Sequence, residues 1–284
     1  MSSNRRLKVI AGHLEHPNKL GVSPQHCAGA SPEAEGECKN KLPGRQDILK
    51  WNGWGYKDSQ FLIKDGQAKF TGTRYILGGH TFPKLVEWFT RECHADVSIS
   101  SPSKPLPDPS TIPSAEINQP FFTRIKESDM QYTLDPHTRL FHGHGHTCHE
   151  IFELRHGMLH RIPDIVIWPS CHKDVEEIVR LAVEHNVCVI PFGGGTSVSN
   201  ALECPVTEKR MIVSLDMTEM KKILWIDEEN LVAHIEAGII GQELERQVSE
   251  SLLLSRGWSC TPNLWLGCVT LSLGLRAEPS YVEF

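Results

Sequence analysis

The chain has 284 residues, a formal net charge of −6 and 39% hydrophobic residues, enough for one large domain or two small ones with a sizeable core. A charged fraction of 23% falls near the globular range and argues against wholesale disorder. The acidic balance argues against a general nucleic-acid binder, while leaving room for a local basic site for phosphates.

Residues 1–45 are polar, basic at the start and rich in Gly, Pro, Ser and Ala, which reads as a mobile leader. No apolar run follows the basic start, so a secretory signal is not expected. Residues 46–160 mix short ordered pieces with loops and read as a small N-terminal domain. Within them Pro102, Pro105, Pro107, Pro109 and Pro113 mark an extended segment that can be neither helix nor central strand. From residue 161 the elements alternate regularly. Ile165-Val166-Ile167 predicts a short strand ending at Pro169. Val175, Ile178, Val179 and Ala182 recur at helical spacing behind an acidic first turn. Val187 to Ile190 predicts a second strand, closed by Pro191. Met211–Leu215, Ile223–Ile226 and Leu231–Ile235 are three more strand candidates, and a helix is predicted around Ile240–Val248. The fold class is α+β.

The segment Pro191-Phe192-Gly193-Gly194-Gly195-Thr196-Ser197 carries the sharpest chemistry. Three glycines after a strand let the backbone approach a diphosphate and aim its N–H groups at the oxygens. Thr196 and Ser197 could add hydroxyl donors. The spacing is neither G-x-G-x-x-G, since Val198 occupies the last glycine position, nor G-x-x-x-x-G-K-[ST], so a Rossmann or P-loop nucleotide site is disfavoured. Taken alone, the loop is as well explained as a glycine-rich connector.

Five pieces in order change that balance: Ile162-Pro-Asp-Ile-Val-Ile-Trp-Pro169, the following helix, Pro191–Ser197, Ile212-Val-Ser-Leu-Asp216 and Ala237-Gly238. Together they resemble the FAD-binding domain of the vanillyl-alcohol oxidase/PCMH superfamily. The resemblance implies the first part of a PCMH-type FAD-binding domain at 161–250, with Pro191, Phe192, Gly193, Gly194, Gly195, Thr196 and Ser197 cradling the FAD diphosphate. Two further stretches, Lys50-Trp-Asn-Gly-Trp-Gly-Tyr-Lys-Asp-Ser59 and Arg139-Leu-Phe-His-Gly-His-Gly-His-Thr-Cys-His-Glu-Ile-Phe152, resemble the alkylglycerone-phosphate synthase (alkyl-dihydroxyacetone-phosphate synthase) family. So do Ile223-Leu-Trp-Ile-Asp227 and Gly241-Gln-Glu-Leu-Glu-Arg246, and the resemblance spans roughly 46–249. It implies an FAD-dependent alkyltransferase of ether-lipid synthesis, which exchanges the acyl chain of acyl-dihydroxyacetone phosphate for a fatty alcohol through a flavin adduct. Arg6-Leu7, five residues and His13-Leu14 resemble a type-2 peroxisomal targeting signal. That implies an import receptor as partner and a location in the peroxisome, at the inner face of its membrane. A homodimer is a further expectation from the family.

Other features are read more plainly. His142, His144 and His146 would share one face if this stretch were a strand, which could suit a transition metal. A hydrogen-bonded segment of the N-terminal domain explains them without one, and no metal site is expected. The nine cysteines form no C-x-x-C pair, so neither a zinc ribbon nor a disulfide framework is suggested, and Cys188 reads as a small hydrophobe. Trp51 and Trp54 are expected to pack the N-terminal domain.

The resemblance stops near Ser251. The family's second flavin-binding segment, cap domain and C-terminal acid/base Tyr are not found, and no catalytic residue is assigned. Residues 251–284 read as a non-family apolar tail; Gly257–Leu275 holds 19 residues without a charge, but Pro262 and its polar neighbours weaken a membrane span. Ala201 stands where the family tends to have Gly. The alternatives are a non-catalytic flavin-fold fragment that binds partners, or a PCMH-type FAD oxidoreductase; the Trp-Asn-Gly-Trp-Gly segment speaks against the latter.

Overall fold

The computed structural model describes residues 45–227, 232–256 and 281–283, with side chains placed through residue 248. Its N-terminal part begins with a short helix, α1 (Arg45–Ile48), and a three-stranded antiparallel sheet of β1 (Phe61–Lys64), β2 (Gln67–Phe70) and β3 (Thr81–Phe82). Asp65-Gly66 turns β1 into β2 with both residues at positive φ (53° and 73°), the backbone a two-residue hairpin requires. Helix α2 (Leu85–Glu92) follows. The proline-rich stretch then runs without helix or strand to a 3₁₀ turn at Pro109–Thr111, where the Asp108 carboxylate accepts the Ser110 N–H. Four more elements precede the predicted FAD domain: α3 (Gln119–Glu127), β4 (Gln131–Thr133), α4 (Pro136–Phe141) and α5 (Cys148–His156). Each of these helices starts on a side-chain cap. Asn118, Asp135 and Thr147 accept the N–H groups of Phe121, Thr138 and Glu150.

The central sheet is built from β4, β5 (Ile165–Trp168), β6 (Cys188–Phe192) and β7 (Ile212–Asp216), in the order β4-β5-β7-β6. β5, β7 and β6 are parallel, and β4 lies antiparallel on the edge. Helix α6 (His172–Glu184) makes the crossover from β5 to β6 and shares one face of the sheet with α3. Ile165, Ile167, Val213 and Leu215 meet Phe121, Ile125, Ile178 and Leu181 there, each nearly or fully buried. At about 1.5–3 kcal/mol per fully buried side chain, this layer is the main stabilising core. All of β5 is buried, and α4 covers its other side. A third sheet pairs β8 (Ile223–Asp227), β9 (Val232–Ile235) and β10 (Tyr281–Glu283), with α7 (Gly241–Arg256) supplying Leu244 and Val248 to its core.

Several local features add to or differ from the sequence reading. Upstream of residue 160, β4 and α3 belong to the same sheet layer as β5. Position 250 falls inside α7, and β10 is hydrogen-bonded to β9. Pro191 does not close β6 but lies within it, opposite Leu215. β6 is an edge strand, so a residue lacking an N–H costs the ladder nothing there. The histidines at 142, 144 and 146 form no strand. They lie in the turn between α4 and α5, because Gly143 and Gly145 interrupt any regular element. The targeting pattern Arg6, Leu7, His13, Leu14 and the uncharged Gly257–Leu275 run lie outside the described residues. No helix among the described residues is long and apolar enough to cross a membrane.

Candidate functional site

β6 and β7 end side by side, with Phe192 opposite Asp216, and the Gly193–Ser197 loop leaves the sheet at this carboxyl end. Ligand sites of open parallel sheets form at such ends. Gly195 sits at φ +70°, and a Cβ there would meet Phe192 Cζ at 2.7 Å. Glycine is therefore needed twice at this position. At Gly193 the Cβ direction is open, with no atom within 4 Å. Among the described residues, the N–H groups of Gly193, Gly194 and Gly195 meet no acceptor. Three adjacent donors on a partly exposed loop make a donor set that a diphosphate fits.

The remaining expected residues divide between the open face and the support. Thr196 is half-buried, its Oγ1 beside Gly194. Ser197 is buried, and its Oγ accepts the N–H groups of Ser199 (3.4 Å) and Ala201 (3.1 Å). That hydroxyl shapes the following turn instead of lining the open face. Phe192 is also turned inward, its ring 4.3 Å from the His142 ring and tilted 46° to it. Pro191 is exposed on the sheet edge. Ala201 is exposed, so its Cβ projects away from the packed loop interior.

The support comes from the His-rich turn. His142 is buried with Nδ1 2.7 Å from the Thr138 carbonyl and Nε2 2.9 Å from Asp216 Oδ2. Burial pushes the Asp216 carboxyl up, but the His142 bond and charge and two bonds from Thr218 outweigh it and hold the group below its ordinary value. Gly145 presses on the loop so closely that a Cβ would stand 2.4 Å from the Ser197 carbonyl oxygen, while His146 N–H donates to that oxygen at 2.7 Å. Glu150 ties the turn together. Its carboxylate accepts Gly145 N–H (2.7 Å), Thr147 N–H (3.0 Å) and Thr147 Oγ1–H (2.6 Å). Burial raises this carboxyl too, and those bonds bring it below its ordinary value. His144 is buried beside it and held below its ordinary pKa by burial. Trp54 extends the brace from the N-terminal part, donating Nε1–H to the His146 carbonyl at 3.0 Å.

A second anchor holds the strands in register. Arg161 makes a two-pronged ion pair with buried Asp164, 2.7 Å on each side. Asp164 also accepts the N–H groups of Glu116 and Ile212. Arg139 reaches the carbonyls of Pro163 (2.8 Å) and Pro113 (2.9 Å). Arg139, His142, Asp164 and Asp216 all lie within motifs legible in the sequence, but nothing there assigns them to bracing the loop or the strands. Their contacts span large sequence distances, which no local pattern encodes.

At the end of β7 lies a cavity of about 230 Å³, bounded by Trp168, Asp216, Thr218, Gly238, Ile240 and Arg45. Among the described residues no group of three or more His, Cys, Asp or Glu side chains is arranged to hold a metal ion.

Comparison with known proteins gives the site its context. Residues 163–270 match the FAD binding domain family, a span that runs past position 250. Over 218 residues the chain is 44% identical to alkyldihydroxyacetonephosphate synthase of Caenorhabditis elegans, covering 76% of this chain and 35% of that protein. The synthase of Trypanosoma brucei brucei is 35% identical over 223 residues, again 35% of its length. A solved structure of alkyldihydroxyacetonephosphate synthase superposes with a TM-score of 0.61 at 29% identity, over 73% of this chain and 39% of that one. The chain therefore spans little more than a third of the length of the relatives it matches.

Proposed function

The chain belongs to the alkyldihydroxyacetonephosphate synthase family, and from that premise we propose that Gly193–Ser197 is the diphosphate wall of an FAD site serving acyl-for-alkyl exchange. FAD is the cofactor of the domain family matched at 163–270. One observation carries the assignment of the loop: three neighbouring glycine N–H groups without an acceptor among the described residues, on a loop braced from beneath by Gly145, His142 and Phe192.

The substrates proposed are acyl-dihydroxyacetone phosphate and a fatty alcohol, and the setting is ether-lipid synthesis in the peroxisome. Import through Arg6, Leu7, His13 and Leu14, a location at the inner face of the membrane and a homodimer belong to the same proposal. The flavin, when bound, supplies the covalent chemistry of the exchange. This chain's residues hold the diphosphate and keep water from the underside of the loop. No acid/base pair for the exchange is identified among the described residues, and residues 1–284 by themselves are proposed not to turn over. A fragment that binds FAD without catalysis is the second reading, favoured by the open side of the loop at Gly193. An oxidoreductase is disfavoured because the likeness to the synthases covers 76% of the chain, far more than the FAD domain.

Gly193→Ala tests the loop. The added methyl meets nothing in the protein, so folding is expected to be unchanged while FAD affinity falls at least tenfold. Unchanged flavin binding in this variant would remove the loop from the site. Assaying the same preparations for alkyl transfer tests the second statement, and steady turnover by residues 1–284 would overturn it.

A further inference from the structure

Arg45 lies at the end of the stretch that reads as a leader, yet it is seated at the glycine loop. Its Nη1 donates to the Gly193 carbonyl, 148 residues away in sequence. The same nitrogen stands 3.7 Å from where a Cβ on Gly194 would lie. Arg45 is also a wall of the 230 Å³ cavity that Asp216 bounds. Its position is fixed through the chain that follows. Leu49 N–H bonds back to the Arg45 carbonyl at 2.8 Å, and Leu49 packs with Phe141, Phe192 and Leu202 under the loop.

We propose that Arg45 is the cation that faces the FAD diphosphate, and that cofactor binding and docking of the segment around Arg45 stabilise each other. The proposal rests on the reading of Gly193–Ser197 as an FAD site. Charge explains why this residue is needed. The cavity lining carries three carboxylates, Asp216, Glu219 and Glu243, against two cations, Arg45 and Lys221. Asp216 is engaged by His142, and Glu243 by Arg246. Without Arg45, Lys221 would be the sole lysine or arginine in that lining. The guanidinium suits the task better than an ammonium. Its planar fork can hold a backbone carbonyl and phosphate oxygens together. Because the contact joins the ligand to a segment far away in sequence, linkage is reciprocal: whatever affinity Arg45 adds to FAD, FAD returns to the docking of that segment.

The test uses residues 1–284, with FAD binding followed by flavin fluorescence across a range of salt concentrations. Arg45→Ala is expected to weaken FAD binding about tenfold or more and to flatten its salt dependence, with Arg45→Lys in between. A residue that merely propped the loop would leave the salt dependence unchanged. Trypsin gives a readout on the unaltered protein: saturating FAD is expected to slow cleavage after Arg45 by tenfold or more. Equal cleavage with and without FAD, or Arg45→Ala binding within twofold of the parent at every salt concentration, would overturn the proposal alone. If the unaltered chain takes up no FAD, the reading of the loop falls and the proposal falls with it.

Discussion

His142 and Asp216 join the two sides of the site across 74 residues, with Nε2 2.9 Å from Oδ2 and both side chains buried. The other ring nitrogen, Nδ1, faces the Thr138 carbonyl, a group that can only accept, so that nitrogen is the donor of the contact. The imidazole then packs on Phe192, whose ring fills the space under Gly195. Loop shape is thus set by a buried polar pair and not by the glycines alone. His142→Ala or Asp216→Asn is expected to cost about 3–5 kcal/mol in urea unfolding, since each leaves one partner buried and unmatched. The double variant should cost clearly less than the sum, the mark of direct coupling.

Gly145 offers a sharper steric test. An Ala there drives its methyl to 2.4 Å from the Ser197 carbonyl, which is backbone and cannot swing aside. Gly145→Ala should lose about 1–3 kcal/mol of stability and loosen FAD binding, because the loop is pushed from beneath. Gly157→Ala is the control. Its added methyl makes one ordinary contact, 3.5 Å from the Glu153 carbonyl, and melting should move by less than about 0.5 kcal/mol equivalent.

Acid should lower the stability of the protein in two steps. His144 is held below its ordinary value of 6.5 by burial, so the unfolded chain binds its proton first, and this contribution is full above 6.5 and is lost as pH falls below it. Asp216 and Glu150, despite burial, lie below their ordinary values of 3.8 and 4.5. Their contributions are full above those values and are lost only as pH falls through the lower folded-state values. Stability measured by denaturant titration from pH 8 downward should therefore decline gently below about 6.5 and steeply below about 4.5. A flat profile between those two values would contradict the burial of a neutral His144.

Thiol reactivity should sort by environment. Cys93 and Cys148 are exposed, whereas Cys204 is buried and its thiol is pushed up to about 12, chiefly by desolvation. Brief iodoacetamide treatment of the native protein at neutral pH, read by peptide mass spectrometry, should label the first two and spare Cys204 until denaturant is added.

How much of this could be read from the chain depends on the range of the interaction. β5, α6, β7 and the glycine loop were legible because each is written locally: an apolar run, a 3.6-residue period, three glycines after a strand. Pro191 misled, since a proline normally closes a strand, and only the sheet order shows β6 to be an edge. The His142–His146 stretch misled in another way. Alternate histidines suggest a strand, but Gly143 and Gly145 are there for close approach, Gly143 to Ile162 and Gly145 to Ser197. The partners of His142, Arg139 and Arg45 lie far off in sequence, and no spacing rule reaches them.

The placement of β4 has a consequence for how the sheet is born. β5 is an Ile-Val-Ile-Trp run with every residue buried, the kind of strand that pairs indiscriminately when its edges are bare. Its antiparallel partner β4 lies upstream, so on the ribosome Gln131–Thr133 emerges first and one flank of β5 has a mate waiting as soon as it appears. The N-terminal part of this chain thus chaperones the sheet that follows it, and a gene fragment begun at residue 161 would be born with that flank open.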